Sequence, residues 1–372
     1  MNNTIYSGGI PVPLVDDSKQ YFKSKLTILF GPSGSGKSTL IQHILNSLRE
    51  SIPLVVVCCP TASLNGDYNN IVPDQCIHDD VTKPLMQKIF QRQENVMAMY
   101  DLVRNITHIK PLYKKIATRE SNIKVDKLTT IYRKACEDIR NTYDEEDVDS
   151  TINEFTIKYN KKLVKIMRGQ IINEMPKLKS LSLTDMEKTI LSNFEINPAI
   201  LILIDDCMAS VREWSQLEET KKLFYQGRHY FVTCLISAQN ETSIPPAFRM
   251  NAHISVFTTQ TIVNTYINKA SSGISPDERK RISKIAETIF APSEDRARPN
   301  YKKLIIFGAI VKTDHRVQYI IGSTKKKRFG SSALWAMCKH VERATSSTVS
   351  SNSFSKMFSL KSTPSLDPIP QS

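Results

Sequence analysis

The sequence predicts an α/β fold, a mainly parallel β-sheet with helices on both faces. Three observations lead to it. Short, continuously apolar runs recur through the first and last parts of the chain, as strands covered on both faces require. A long glycine-poor tract separates them: between Gly66 and Gly227 the only glycine is Gly169, a composition that favours helix. A glycine-rich loop joins the first apolar run to an amphipathic stretch, the strand–loop–helix succession of a phosphate-binding turn. The composition sets bounds on this reading. With 372 residues, 40% of them hydrophobic, the chain can bury a large core, which excludes whole-chain disorder. Fifty Lys and Arg against 37 Asp and Glu give a net charge of +13, an excess that points to a polyanionic partner. Seven scattered cysteines with no C-x-x-C pair argue for a reducing compartment and against a zinc site. No basic-then-apolar leader opens the chain and no apolar run is membrane-sized, so a soluble, non-secreted protein with no membrane span is expected.

The strands are expected at Leu26–Phe30, Leu54–Cys59, Ile200–Ile204, Tyr230–Ser237, Ile254–Thr258, Leu304–Ile310 and Val317–Gly322. The last two, joined across Lys312, Thr313, Asp314 and His315, read as an antiparallel hairpin at a sheet edge. Leu40, Ile41, Ile44, Leu45 and Leu48 share one helical face after the loop. Residues 81–196 are expected to be mostly helical. Ile152, Phe155, Tyr159, Leu163 and Ile166 recur at three- and four-residue steps, and Pro84, Pro111, Pro176 and Pro198 mark element boundaries. The chain thus divides into a first core half (1–80), a helical insertion (81–196), a second core half (197–322), a basic segment (323–343) and a Ser/Thr-rich tail (344–372) that lacks the apolar content to fold.

Gly31-Pro32-Ser33-Gly34-Ser35-Gly36-Lys37-Ser38-Thr39 matches G-x-x-x-x-G-K-[ST] in the right strand–helix context. Gly34 and Gly36 let backbone N–H groups curl around a phosphate, Lys37 neutralises β- and γ-oxygens, Ser38 is a magnesium ligand, and the helix N-terminus adds its positive end. Nucleoside triphosphate binding follows. A carboxylate on a neighbouring strand must complete the magnesium site, and Leu201-Ile202-Leu203-Ile204-Asp205-Asp206 is the apolar run that ends in acid. Asp205 is the expected metal ligand and Asp206 is placed to polarise the attacking water. Gln239, after the next apolar run, is a candidate γ-phosphate sensor. Arg228 and Arg249 are candidates for an arginine finger acting on a neighbouring subunit. Asn268-Lys269-Ala270-Ser271 lacks the Asp of a guanine reader, so ATP is the expected nucleotide.

Taken together, the phosphate loop, Cys58-Cys59-Pro60-Thr61, Ile71-Val72-Pro73-Asp74, Ile204-Asp205-Asp206-Cys207, Gly227-Arg228-His229 and Ser237-Ala238-Gln239 resemble the genome-packaging ATPase of poxviruses and other nucleocytoplasmic large DNA viruses. That family belongs to the HerA/FtsK division of P-loop ATPases. The resemblance covers roughly residues 23–80 and 197–322. It implies a RecA/ASCE-like P-loop NTPase fold and ATP hydrolysis with Mg2+. It also implies a homo-oligomeric ring that moves double-stranded DNA into a capsid, with capsid or portal-like partners, in the host cytoplasm, the virion or the nucleus. By resemblance Lys37 and Ser38 hold nucleotide and magnesium, Asp205 the metal, Asp206 the water, Gln239 senses phosphate and Arg228 acts in trans. Lysines and arginines concentrate at Arg279, Lys280, Arg281, Lys284, Arg296, Arg298, Lys302 and Lys303 and in Lys325-Lys326-Lys327-Arg328, a placement suited to sequence-independent contact with duplex phosphates. A nucleotide or small-molecule kinase, and a nucleotide-gated DNA-binding scaffold with little hydrolysis, are the alternatives.

Overall fold

The computed structural model describes residues 4–142, 145–292, 301–322 and 326–346. The chain forms two compact units, Met1–Glu94 with Asn197–Ser372, and Asn95–Ile196.

The first unit is built on strands β1 (Thr4–Ser7), β2 (Ile10–Pro13), β3 (Leu26–Phe30), β4 (Leu54–Cys58), β5 (Ile77–His78), β6 (Ile200–Ile204), β7 (Val232–Ala238), β8 (Ile254–Phe257), β9 (Lys302–Phe307) and β10 (Val317–Ile321). The last eight form one sheet in the order β10-β9-β8-β3-β7-β6-β4-β5. Strands β8, β3, β7, β6, β4 and β5 run parallel, and β9 and β10 close one edge antiparallel. Every residue of β3, β6 and β7 is buried, and alternation sends side chains to two cores. Ile200, Ile202 and Ile204 enter one with Ile28, Phe30 and Ile236; Leu201 and Leu203 enter the other with Leu29 and Leu235. The helix Lys37–Leu48 buries Leu40, Ile41, Ile44, Leu45 and Leu48 against this second core. At about 1.5–3 kcal/mol per fully buried side chain, that face fixes the helix whose N-terminus carries the phosphate loop.

Several boundaries differ from the sequence reading. Strand β7 starts at Val232 because Phe231 takes a left-handed φ of 55°, which ends a tight 3-10 turn at Gly227–Tyr230. Strand β9 spans Lys302–Phe307 and stops where the Gly308 N–H turns to the His253 carbonyl at 2.8 Å. The β1–β2 hairpin, unanticipated, turns on Gly8 and Gly9 with φ of 55° and 84°. Residues 81–94, expected in the helical insertion, belong to the first unit: Val81, Leu85, Met86, Ile89 and Phe90 sit in the core of its sheet.

The second unit is helical. The helices Ile106–Ile116, Arg119–Thr142, Glu145–Asn173 and Asp185–Ser192 surround a core that includes Ile109, Leu112, Tyr113, Leu163, Met167, Ile171 and Phe194. Arg168 ties it together, donating to the carbonyls of Val103 and Phe194 at 2.7 and 2.6 Å. Pro111 is a correction. It lies inside Ile106–Ile116 rather than at a boundary, exposed, with the helix started by the Asn105 side chain accepting from the Thr107 N–H at 3.0 Å.

The segment expected to be basic (323–343) and the first three residues of the tail expected not to fold carry the helix Ser332–Ser346, and Phe329, Leu334 and Cys338 are buried in the second core. Lys326, Lys327 and Arg328 are exposed, with the Arg328 guanidinium 4.9 Å from the Trp335 ring centre. Arg296, Arg298, Lys325 and the tail from residue 347 onward lie outside the described residues. Among the described residues no helix is long and apolar enough to cross a membrane.

Candidate active site

The phosphate loop leaves β3 at Gly31, whose N–H donates to the Ala238 carbonyl of β7 at 3.0 Å. A Cβ at Gly31 would stand 2.0 Å from the Thr258 Oγ1 and 2.6 Å from the Ser35 Oγ, so only glycine fits. Thr258, one residue past β8, donates to the Ser35 hydroxyl at 2.9 Å and ties the loop down. Gly34 and Gly36 take φ of 73° and 85°, which glycine alone adopts at no steric cost. The Lys37 ammonium donates to the Gly31 and Pro32 carbonyls at 2.7 and 3.0 Å, folded back over the loop. Gly31→Ala is therefore expected to cost about 1–3 kcal/mol of stability by overpacking and to weaken nucleotide binding; Thr258→Ala in the same chain should recover part of both. Thermal unfolding with and without ADP measures this, and a Gly31→Ala protein indistinguishable from wild type would show that the clash is absorbed.

Beside the loop lies a cavity of about 300 Å³ lined by Gly34, Gly36, Lys37, Ser38 and Thr39 and, across from them, by Thr61, Asp205, Asp206, Ser237 and Gln239. Parallel strands put all of these at one rim, since β3, β6 and β7 end together. The strand carrying Asp205 is not the neighbour of β3 that the sequence reading assumed: β7 lies between them and contributes Gln239. Both carboxylates nevertheless act on Lys37. Burial lowers its proton affinity, and Asp205 and Asp206 oppose that.

Asp205 is buried, 7% exposed, its Oδ2 accepting from the Tyr68 hydroxyl and its N–H donating to the Cys58 carbonyl at 2.9 Å. Burial pushes its carboxyl above the usual range; hydrogen bonds from Tyr68 and Ser237 pull it down, Asp206 raises it and Lys37 lowers it. A buried carboxylate in this state favours a cation. Asp206 is exposed and left-handed, φ 61°, and the Thr61 hydroxyl lies 3.5 Å from its Oδ2. The donors available to a metal are hydroxyl and carboxylate oxygens, Ser38 and Asp205, the hard set that suits Mg2+.

The two arginines part company. Arg249 is a correction: it is buried, with Nη1 donating to the Glu241 carbonyl and, at 2.9 Å, to the Ile244 carbonyl, so it holds its own loop and offers nothing to a neighbour. Arg228 is exposed and precedes β7, at the end of the sheet opposite the phosphate loop. Its only hydrogen bond among the described residues joins its Nε to the His229 ring at 3.3 Å. Around it burial lowers the proton affinity of Lys25, and the Arg228 charge adds to that. His253 is pushed down to about 4 by burial, then by Lys25 and Arg228; its Nδ1 accepts from the Leu26 N–H at 2.9 Å. Tyr68 and Thr258 went unanticipated: each is an isolated residue in sequence, brought to the site by the fold.

No family model matches the chain. It is 28% identical to Uncharacterized protein B354L of African swine fever virus over 355 residues, 91% of this chain and 93% of that one. Among solved structures, the genome packaging NTPase B204 from Sulfolobus turreted icosahedral virus 2, in complex with AMP, aligns at 11% identity over 79% of this chain and 96% of its own, with a TM-score of 0.34. The bacterial conjugative coupling protein TrwBdeltaN70 aligns at 11% identity over 89% and 90%, with a TM-score of 0.35. A phosphate loop closing a central strand of a sheet in this order is the P-loop NTPase fold of the RecA/ASCE-like class, and the motifs gathered at this site are what the chain, aligned along almost its whole length with a protein of African swine fever virus, has in common with the genome-packaging ATPases it resembles.

Proposed function

We propose that the protein is an ATP-hydrolysing motor that translocates double-stranded DNA and packages a viral genome into a capsid, in infected cells or in the virion. The observation that carries this reading is the convergence of Lys37, Ser38, Asp205, Asp206 and Gln239 on one cavity beside the phosphate loop. Lys37 swings from the Gly31 and Pro32 carbonyls to the β- and γ-phosphates. Ser38 and Asp205 hold Mg2+, which neutralises charge on the phosphate oxygens when bound. Asp206, exposed beside them, orients and polarises the attacking water, and Gln239 reports the γ-phosphate from the end of β7.

The DNA contact is assigned to a groove of about 690 Å³ between the helices Gln260–Asn268 and Pro276–Phe290, where Arg279, Lys280 and Lys284 stand with Asn264 and Asn268. Cations beside amide donors suit phosphate backbone rather than base edges. Arg228, far from its own chain's phosphate loop, supports a ring in which one subunit serves the next.

Steady-state ATP turnover across a salt series, with and without duplex DNA, tests the motor. Stimulation by DNA of any sequence is expected, with the apparent affinity falling by a log–log slope of about −0.9 per phosphate neutralised. Turnover that needs a small-molecule acceptor would make the protein a kinase, and ATP binding without turnover would make it a nucleotide-gated scaffold; either result removes the motor.

A further inference from the structure

Lys303 was expected on the DNA-binding surface with its basic neighbours, and the fold puts it elsewhere. Leu304 of β9 pairs with Phe257 of β8, which pairs with Phe30 of β3. The next residue outward on each strand is Lys303, Thr258 and Gly31, so Lys303 stands at the same rim as the phosphate loop. Its Cε and Nζ come within 3.6 Å of where a Cβ on Gly36 would project, and the residue is 7% exposed.

An ammonium on a side chain so little exposed is stabilised by an anion beside it. None of the carboxylates of the described residues pairs with Lys303, and Asp205 and Asp206 face Lys37 instead. Burial alone moves its proton affinity, downward. What lies next to it is the loop whose N–H groups cradle phosphate. A Cβ on Gly322, which follows β10, would stand 3.3 Å from the Leu40 backbone N and from the Thr39 Cγ2, so the antiparallel edge of the sheet walls the side of the loop where the helix begins.

We propose that Lys303 is a second cation of the nucleotide site, set beside Gly36 to bind the α- and β-phosphates that ATP and ADP share. The inference rests on the nucleotide-binding reading of the loop and adds a residue outside its motif. Lys37 serves the β- and γ-oxygens, while Lys303 serves the inner phosphates. A nucleotide phosphate would give the Lys303 ammonium the anion that no carboxylate among the described residues supplies.

The test uses the full chain and its Lys303→Met, Lys303→Arg and Lys37→Met variants, titrated with ADP and with ATP by calorimetry and followed by thermal unfolding. Lys303→Met is expected to bind both nucleotides more weakly by the same factor, roughly tenfold or more for one lost charge-assisted contact. Lys303→Arg should stay within a few-fold of wild type. Without nucleotide, Lys303→Met should melt no lower than wild type, because a buried charge has been removed, while its ADP-induced rise in Tm shrinks. A packing role would instead lower the nucleotide-free Tm and leave the ADP-induced rise intact, and that result overturns the proposal. So does weakening of ATP but not of ADP, which would place the lysine on the γ-phosphate. If wild type binds nucleotide, Lys37→Met loses it and Lys303→Met does not, this inference alone falls; if wild type binds neither nucleotide, the reading of the site falls with it. Should Lys303→Met fail to fold by circular dichroism, Lys303→Gln takes its place with the same expected outcomes.

Discussion

Lys37→Ala is expected to leave a folded protein with ATP turnover reduced by at least about a hundredfold, the scale lost when a preorganised charge facing the transferring group is removed. The Lys37 ammonium donates to the Gly31 and Pro32 carbonyls at 2.7 and 3.0 Å. Those bonds are local, and their loss costs stability only on the order of 1 kcal/mol. Function depends on its charge. Asp205 and Asp206 both face the cavity, and the Asp205 carboxyl is already raised by burial and by its neighbour. Without Lys37 the side chains lining the cavity carry only negative charge, and Lys303, beside Gly36, serves the inner phosphates and leaves the γ-phosphate facing Asp205 and Asp206. Phosphate-release kinetics and ADP-induced changes in Tm measure the two consequences. Turnover retained above about a tenth of wild type would show that the loop amides and helix N-terminus suffice, and would remove Lys37 from the chemistry.

What could be read ahead of the fold was whatever the sequence encodes locally. The central strands were legible because Leu26–Phe30 and Ile200–Ile204 are buried on both faces, which forces an unbroken apolar run. The phosphate loop was legible because its glycines are required, Gly34 and Gly36 by a positive φ and Gly31 by the Thr258 and Ser35 side chains packed against it. Strand β2 was hidden by Pro11 and Pro13, which demote a run that pairs only with another short strand. The helix Ser332–Ser346 was hidden between a lysine run and a Ser/Thr-rich tail, its commitment to the core resting on Phe329, Leu334 and Cys338. The site residues split the same way. Asp205, Asp206 and Gln239 announce themselves by ending apolar runs. Tyr68, Thr258 and Lys303 come to the rim only through sheet order, which no local pattern specifies. Arg249 misled because an arginine looks alike in sequence whether it points outward or, as here, caps its own chain's carbonyls.

Arg228→Ala is expected to bind ATP as wild type does and to lose turnover by roughly a thousandfold or more, the range attributed to an arginine acting in trans. Geometry gives the reason. Strand β7 runs parallel to β3 from Val232 to Ala238, and at about 3.3 Å per residue it separates Arg228 from the rim that carries the phosphate loop by on the order of 20 Å. No side chain spans that distance, so Arg228 cannot serve its own chain's nucleotide. It is exposed beside Lys25 and His253, and no carboxylate among the described residues pairs with it. Such a cation is poised for an anion brought by another molecule. If that anion is the nucleotide of the next subunit, two inactive variants should repair each other. Asp206→Asn keeps the arginine and spoils the site; Arg228→Ala keeps the site and spoils the arginine. In randomly mixed rings from equal amounts, an intact site meets an intact arginine at roughly a quarter of interfaces, so DNA-stimulated turnover should recover to about a quarter of wild type. Mixing that restores nothing, with co-assembly confirmed by size and mass, would leave Arg228 as a residue of the sheet's far end and require the trans-acting group to be sought elsewhere.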